Sequence, residues 1–295
     1  MNRSGTSFLS LVSLALSSCA PEAPTPSPAL PAPQGPARQP SLAPPVEISE
    51  RVKFPAPEKV AVQKVTPPAP VPKVTRHKLA SRTASADGIV LTVVTFDRRD
   101  FDLEVADQDG LAAQWSTAAE AGAGSLAAIN GGFFTPEGKP LGLVISKGDR
   151  AGSINRASSL GAGVFIGGNE RLISRKAYLA SKPKALNLLQ TGPRLVWNSR
   201  RIPGLQQGND RPRSFLLWDG AEHFGIGYAN SATLSSLASA LSKQPLPGFK
   251  IHHALNLDGG RSSDLWVSPS VNGGGLTRRS WLNKEVRNYL VLKPE

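Results

Sequence analysis

Ala254-Leu255-Asn256-Leu257-Asp258-Gly259-Gly260-Arg261-Ser262-Ser263 is the stretch from which the rest of the chain can be read. A short apolar run passes directly into an aspartate, two glycines and two serines. A buried strand ending in a polar side chain fixes that side chain where the sheet stops. Paired glycines let the backbone turn sharply and come close to a ligand, and exposed amides in such a turn bind anionic oxygens. A second stretch has the same form, Ala127-Ala128-Ile129-Asn130-Gly131-Gly132-Phe133-Phe134. Taken alone, either stretch also reads as a plain turn, with Asp258 capping its own backbone.

Working outward, Gly88 to Phe96 is β-branched and predicts a strand. Asp97-Arg98-Arg99-Asp100 predicts a turn, and Phe101 to Ala106 alternates as a half-buried strand does. Leu111 to Ala121 has helical composition, closed by Gly122 and Gly124. Further strands are expected over 125–129, 141–146, 163–166, 195–197, 214–218, 223–228, 254–257 and 289–292. A second helix is expected over 234–241, with Thr233 as its N-cap. Many strands with few helices define an α+β class: a single domain on a mixed or antiparallel sheet or partial barrel, flanked by a few helices.

Proline is crowded between Pro21 and Pro72 and sparse afterwards. Residues 19–80, rich in Ala, Pro, Val, Lys and Glu, cannot bury enough apolar surface to offset ordering entropy. They are expected to form a disordered, extended tether. The globular domain is placed at 81–295. Trp115, Trp197, Trp218, Trp266 and Trp281 all fall within it.

Residues 1–18 read as an export signal. Arg3 precedes the apolar run Phe8 to Leu16, too short to span a bilayer. The run ends in Leu16-Ser17-Ser18-Cys19, which resembles a bacterial lipobox. That resemblance implies cleavage before Cys19 and acyl chains on Cys19, enough for a stable membrane anchor. The expected location is the periplasmic or cell-surface side of the membrane. Ala20 after the cysteine resembles sorting to an outer membrane, where the host has one.

Cys19 is the only cysteine in the chain, so neither an intramolecular disulfide nor a multi-cysteine zinc site can form. The formal charge is +12, which suits anionic cell envelopes or negatively charged substrates. Basic residues do not interleave with aromatics and no nucleic-acid reader motif occurs, so no nucleic-acid partner is expected.

The ordered motifs point further. They are Ile129-Asn130-Gly131-Gly132-Phe133-Phe134, Pro140 to Gly148, Gln190-Thr191-Gly192-Pro193-Arg194-Leu195-Val196, Arg211-Pro212-Arg213-Ser214, Asn256 to Ser263 and Val286-Arg287-Asn288. From about residue 87 onward the chain resembles the phosphodiester glycosidase family. It departs from the family pattern twice, with Arg261 where a third glycine is usual, and Ser214-Phe215-Leu216 where Thr-Ala and a small apolar residue are usual.

The resemblance implies hydrolysis of a sugar-1-phosphodiester in cell-envelope or exopolysaccharide material, with a glycan or sugar-phosphate as substrate. Asp258 is the first candidate, as nucleophile, general base or stabiliser of a cationic sugar. Arg213 is the candidate phosphate clamp. Asn130, set beside Asp258 in the catalytic pair, and Asn288 offer hydrogen bonds to sugar hydroxyls. Thr191, Ser262 and Ser263 offer hydroxyls, and Gly131, Gly132, Gly259 and Gly260 offer amides. No cofactor and no metal are assigned, though a divalent metal shared by Asp258 and His252 or His253 stays open. The alternative is a non-catalytic envelope lipoprotein of the same fold that binds anionic glycans.

Overall fold

The computed structural model describes residues 79–295. The export signal, the lipidation at Cys19 and the greater part of the tether lie outside the described residues.

Seventeen strands and three α-helices follow one another from Ala80 to Pro294. The first four strands are β1 (Ala80–Ala86), β2 (Ile89–Asp97), β3 (Phe101–Asp107) and β4 (Ala127–Asn130), with α1 (Ala118–Ala121) before β4. Next come β5 (Val144–Ser146), β6 (Asp149–Ala151), β7 (Gly163–Ile166) and β8 (Arg171–Ser174). After α2 (Arg175–Ser181) stand β9 (Leu188–Thr191), β10 (Arg194–Trp197), β11 (Arg200–Arg201), β12 (Arg211–Trp218) and β13 (His223–Ala232). The chain ends with α3 (Leu234–Ser242), β14 (His253–Asn256), β15 (Asp264–Val267), β16 (Leu276–Arg279) and β17 (Asn288–Pro294).

The strands form three sheets, ordered β1-β2-β13-β12-β14-β10-β11, β16-β15-β4-β17-β3 and β6-β5-β9-β7-β8. Neighbouring strands in them run antiparallel throughout. The sheets stay open and do not close into a barrel. At the edge of the second sheet, β3 meets the third through side chains and not through a ladder. Glu170 accepts from the Leu103 N–H (3.0 Å) and Asn187 accepts from the Val105 N–H (3.1 Å). Ser146 donates to the Val105 carbonyl at 2.6 Å. These bonds satisfy edge groups that would otherwise invite pairing with another chain.

One core lies where the three sheets face one another, with Phe96, Leu103, Ile129, Phe165, Leu189, Leu216, Leu255 and Leu290 inside it. A second lies beneath α3, whose Leu234, Leu237, Ala238 and Leu241 cover Val93, Phe215 and Ala254. Thr233 caps α3 in a capping box with Ser236. Both the helix and its cap match the sequence expectation.

The first expected helix does not. Only Ala118–Ala121 is helical. Upstream, Ala112 adopts a left-handed φ of 51°. The Gln108 Oε1 accepts from the N–H groups of both Gln114 and Trp115, so those amides are unavailable to a helix. This side-chain acceptor outcompetes helical composition.

Candidate active site

The two glycine-flanked stretches lie against each other. The Asn130 Nδ2 donates to the Asp258 carbonyl (2.8 Å), and the Asp258 N–H donates to the Gly131 carbonyl (3.0 Å). Strands from all three sheets end here: β4 at Asn130, β14 at Asn256, β9 at Thr191, while β17 begins at Asn288. The antiparallel register sets Phe215 of β12 opposite Asn256, which brings Arg213 and Ser214 alongside the turn.

Asn130 is the hub of this junction and is fully buried. Its Oδ1 accepts from the Ser214 hydroxyl (2.6 Å) and the Asp264 N–H (3.0 Å). Its amide therefore fastens β12, β15 and the Asp258 turn together, which makes Asn130 a positioning group. Thr191 is also fully buried, and its hydroxyl donates to the Asn256 carbonyl at 3.1 Å.

The expected anion-binding amides of Gly131 and Gly132 are already taken. The Gly131 N–H donates to the Asn288 carbonyl and the Gly132 N–H to the Asn288 Oδ1, each at 2.8 Å. A methyl group on Gly131 would collide with the Asn288 Oδ1. Glycine is required here for close packing, because buried amides must find partners.

Asp258 itself keeps partial exposure. The Gly259 N–H donates to its Oδ1 at 2.9 Å, and the Ser262 hydroxyl lies near its carboxyl. Surrounding protein removes water from the carboxyl and pushes its pKa up to about 6, against the downward pull of Ser262, Gly259, Lys284 and Arg213. Desolvation dominates. Gly260 turns the chain in the left-handed region at φ 66° and opens a single 3-10 turn, Gly260–Ser262.

Arg213 stands over the same turn. Its Nε donates to the Ala232 carbonyl (3.0 Å), and a methyl group on Gly259 would lie 3.1 Å from its Nη1. Burial and then Arg211 lower its pKa, while Asp210 and Asp258 oppose them.

Buried polar atoms without partners cluster in these segments: Asn256 Oδ1, Ser263 Oγ and Asn288 Nδ2.

Sequence reading missed three contributors. Ser214 and Asp264 hold Asn130, and Ser214 stands within a motif already singled out. Lys284 lies in an irregular loop that gave no signal. Its charge acts on Asp258, and its ammonium sits 5.3 Å from the centre of the Phe134 ring. Arg261 neither crowds Asp258 nor binds it, because its Nε donates to the Leu282 carbonyl at 2.8 Å.

Two cavities lie elsewhere. One of about 620 Å³ runs along β3 past Asp107, Lys147 and Arg287. One of about 370 Å³ lies among Trp197, Trp218, His252 and His253. Burial drops the His253 pKa to about 4, with His252 adding to the fall. Among the described residues, no three His, Cys, Asp or Glu side chains converge as a metal site would require.

Residues 123–293 match the model of the phosphodiester glycosidase family. The chain belongs to that family, which is one of hydrolases. Among solved structures it is similar to the zebrafish N-acetylglucosamine-1-phosphodiester alpha-N-acetylglucosaminidase catalytic domain auto-inhibited by its pro-peptide. The two share 16% identity over 74% of this chain and 82% of that one, with a TM-score of 0.51. At that identity the likeness is one of fold. A hypothetical protein from Synechocystis shares 18% identity over 72% of this chain and 61% of its own, with a TM-score of 0.49. No curated protein sequence matches the chain significantly.

Proposed function

We propose that the Asp258 turn is the active site of an enzyme that hydrolyses the glycosyl–phosphate bond of a sugar-1-phosphodiester in cell-envelope or exopolysaccharide material. The observation that carries this reading is one carboxyl on a rigid turn, shifted to a pKa of about 6 with Arg213 and Lys284 beside it. Family membership supports the reaction class.

The departing phosphodiester is a weak base, so protonating it matters less than in ordinary glycosides. Arg213 and Lys284 hold the phosphate and stabilise the charge it gains as the bond to the anomeric carbon breaks. Asp258, ionised at neutral pH, faces the sugar as it becomes cationic. It acts as nucleophile or as base toward water. Asn130 serves by fixing the turn in place.

The second reading, a non-catalytic binder of anionic glycans, draws on the cavity of about 620 Å³ that Lys147, Arg150 and Arg287 line. A chromogenic sugar-1-phosphodiester separates the two. Turnover that is lost in Asp258→Asn, with folding intact by circular dichroism, gives the enzyme. Tight glycan binding with no turnover across a wide substrate panel gives the binder.

The same proposal places the domain outside the cytoplasm, on a lipid anchor at Cys19. Metabolic labelling with palmitate tests this part. A Cys19→Ser chain that labels as strongly as the original removes it.

A further inference from the structure

We infer that the loop between β16 and β17 docks on an anionic lipid surface and brings the Asp258 turn to it. The docking claim stands by itself. The consequence that the hydrolysed phosphodiester is carried at a membrane rests on the function proposed above.

The segment reads Arg278-Arg279-Ser280-Trp281-Leu282-Asn283-Lys284. Trp281 is 90% exposed and the adjacent Leu282 is 50% exposed. The backbone beneath them is pinned. The Asn283 N–H donates to the Ser280 carbonyl (3.0 Å), the Arg261 Nε to the Leu282 carbonyl (2.8 Å) and the Lys284 N–H to the Arg261 carbonyl (2.7 Å). The loop is thus fastened to the 3-10 turn that follows Asp258, and its two apolar side chains project outward.

Exposure of this degree decides between two occupants. A platform for stacking a sugar ring needs an indole held in place by packing, since a loose ring must be ordered on binding. Trp281 is not so held. Insertion into the boundary between lipid headgroups and acyl chains needs no fixed ring, and indoles favour that zone. The flanking charges agree. Arg261, which bonds the loop, Lys284 within it, and Arg278 and Arg279 at the end of β16 leading into it are all exposed, with the Arg278 Nε donating to the Thr92 hydroxyl at 3.3 Å. Among them, Arg279 is drawn toward a carboxylate, Asp264, at 3.8 Å. Clustered cations beside exposed Trp and Leu suit anionic headgroups, and the net charge of +12 acts in the same direction.

The test uses the full-length chain carrying Cys19→Ser, which takes up no acyl anchor, with vesicles whose acyl chains carry bromine, which quenches indoles lying within the bilayer. Vesicles are made of phosphatidylcholine alone or with phosphatidylglycerol. The expected result is quenching with phosphatidylglycerol that falls at high salt and is absent in Trp281→Phe. Arg278→Gln should weaken the apparent vesicle affinity by about threefold to tenfold, as expected for one cation near an anionic surface. Trp281 is too exposed for Phe to disturb folding. Equal fractional quenching with and without Trp281→Phe overturns the proposal, as does no quenching in either case. So does quenching that ignores headgroup charge, or quenching by soluble oligosaccharides and not by vesicles. Turnover of a soluble chromogenic phosphodiester is measured in parallel and should be unchanged in Trp281→Phe. A loss of docking and a failure of catalysis are therefore seen separately.

Discussion

The side-chain amide of Asn130 donates to the main-chain carbonyl of Asp258 across 2.8 Å, bridging 128 positions of sequence. This bond and its companion from the Asp258 N–H to the Gly131 carbonyl set where the carboxyl points. Asn130 touches the turn through its backbone, so its effect on chemistry passes through Asp258.

Asn130→Ala removes a buried group that serves three partners and leaves the Ser214 hydroxyl and the Asp264 N–H unpaired. The expected cost is about 2–4 kcal/mol, the range for losing a buried polar hub. Chemical denaturation measures it. If the substitution leaves stability unchanged, the hub assignment fails.

Asp258→Asn should stabilise the fold at pH 7. The folded carboxyl has a pKa raised from 3.8 to about 6. Below pH 3.8 the group is protonated in both folded and unfolded chains and costs nothing. Above about 6 it is ionised in both, and the folded state carries the desolvation cost. Removing the charge should therefore gain about 1–3 kcal/mol at neutral pH, taking about 1.4 kcal/mol per pKa unit. The gain should vanish as pH falls from about 6 toward 4. Melting curves of both proteins across that range give the answer.

If Asp258 acts as nucleophile or base, kcat/KM should rise with pH through about 6 and then level off. A pH–rate profile that falls over this interval would reassign Asp258 as a proton donor.

The two site arginines should behave differently. Arg213→Lys keeps the charge but loses the planar fork, and should lower kcat/KM by about tenfold to a hundredfold. Arg261→Ala breaks a bond to the Leu282 carbonyl and should change turnover of a small soluble substrate by no more than about threefold, as surface changes usually do. Steady-state kinetics on both variants distinguish a phosphate clamp from a loop fastener.

Gly131→Ala should cost about 2–4 kcal/mol, because the added methyl strikes the Asn288 Oδ1 in a fully packed junction. Gly259→Ala has more room, since its neighbour is the flexible end of Arg213. Its main effect should be on substrate affinity. Thermal melts and KM values for the pair check the contrast.

Much of the strand framework was legible from local pattern. The β-branched run before Asp97, the alternation after Asp100 and the Thr233 cap each act within a few residues. The helix expected from Leu111 onward shows the limit. Its fate was decided by Gln108, whose amide reaches forward to Gln114 and Trp115, a competition that composition does not display. The candidate residues were legible in part. Asp258 and Arg213 stand at one turn with open polar groups. Asn130, Thr191 and the Gly131 and Gly132 amides stand there too, with their hydrogen bonds committed to the protein.

The sequence by itself determined the longer strands, such as β2, β3, β12 and β13, the two glycine turns and the cap of α3, because these follow from each residue's own shape and polarity. The short strands β9 and β15, which carry Thr191 and Asp264, gave no such pattern. The tertiary structure alone decided which polar groups remain free. A hydrogen bond requires a partner at about 3 Å, and partners here come from segments 65 to 134 positions away in the sequence. The amide of Asn130 and the hydroxyl of Thr191 were consumed by such partners, and Lys284 was carried to Asp258 by a loop with no pattern of its own.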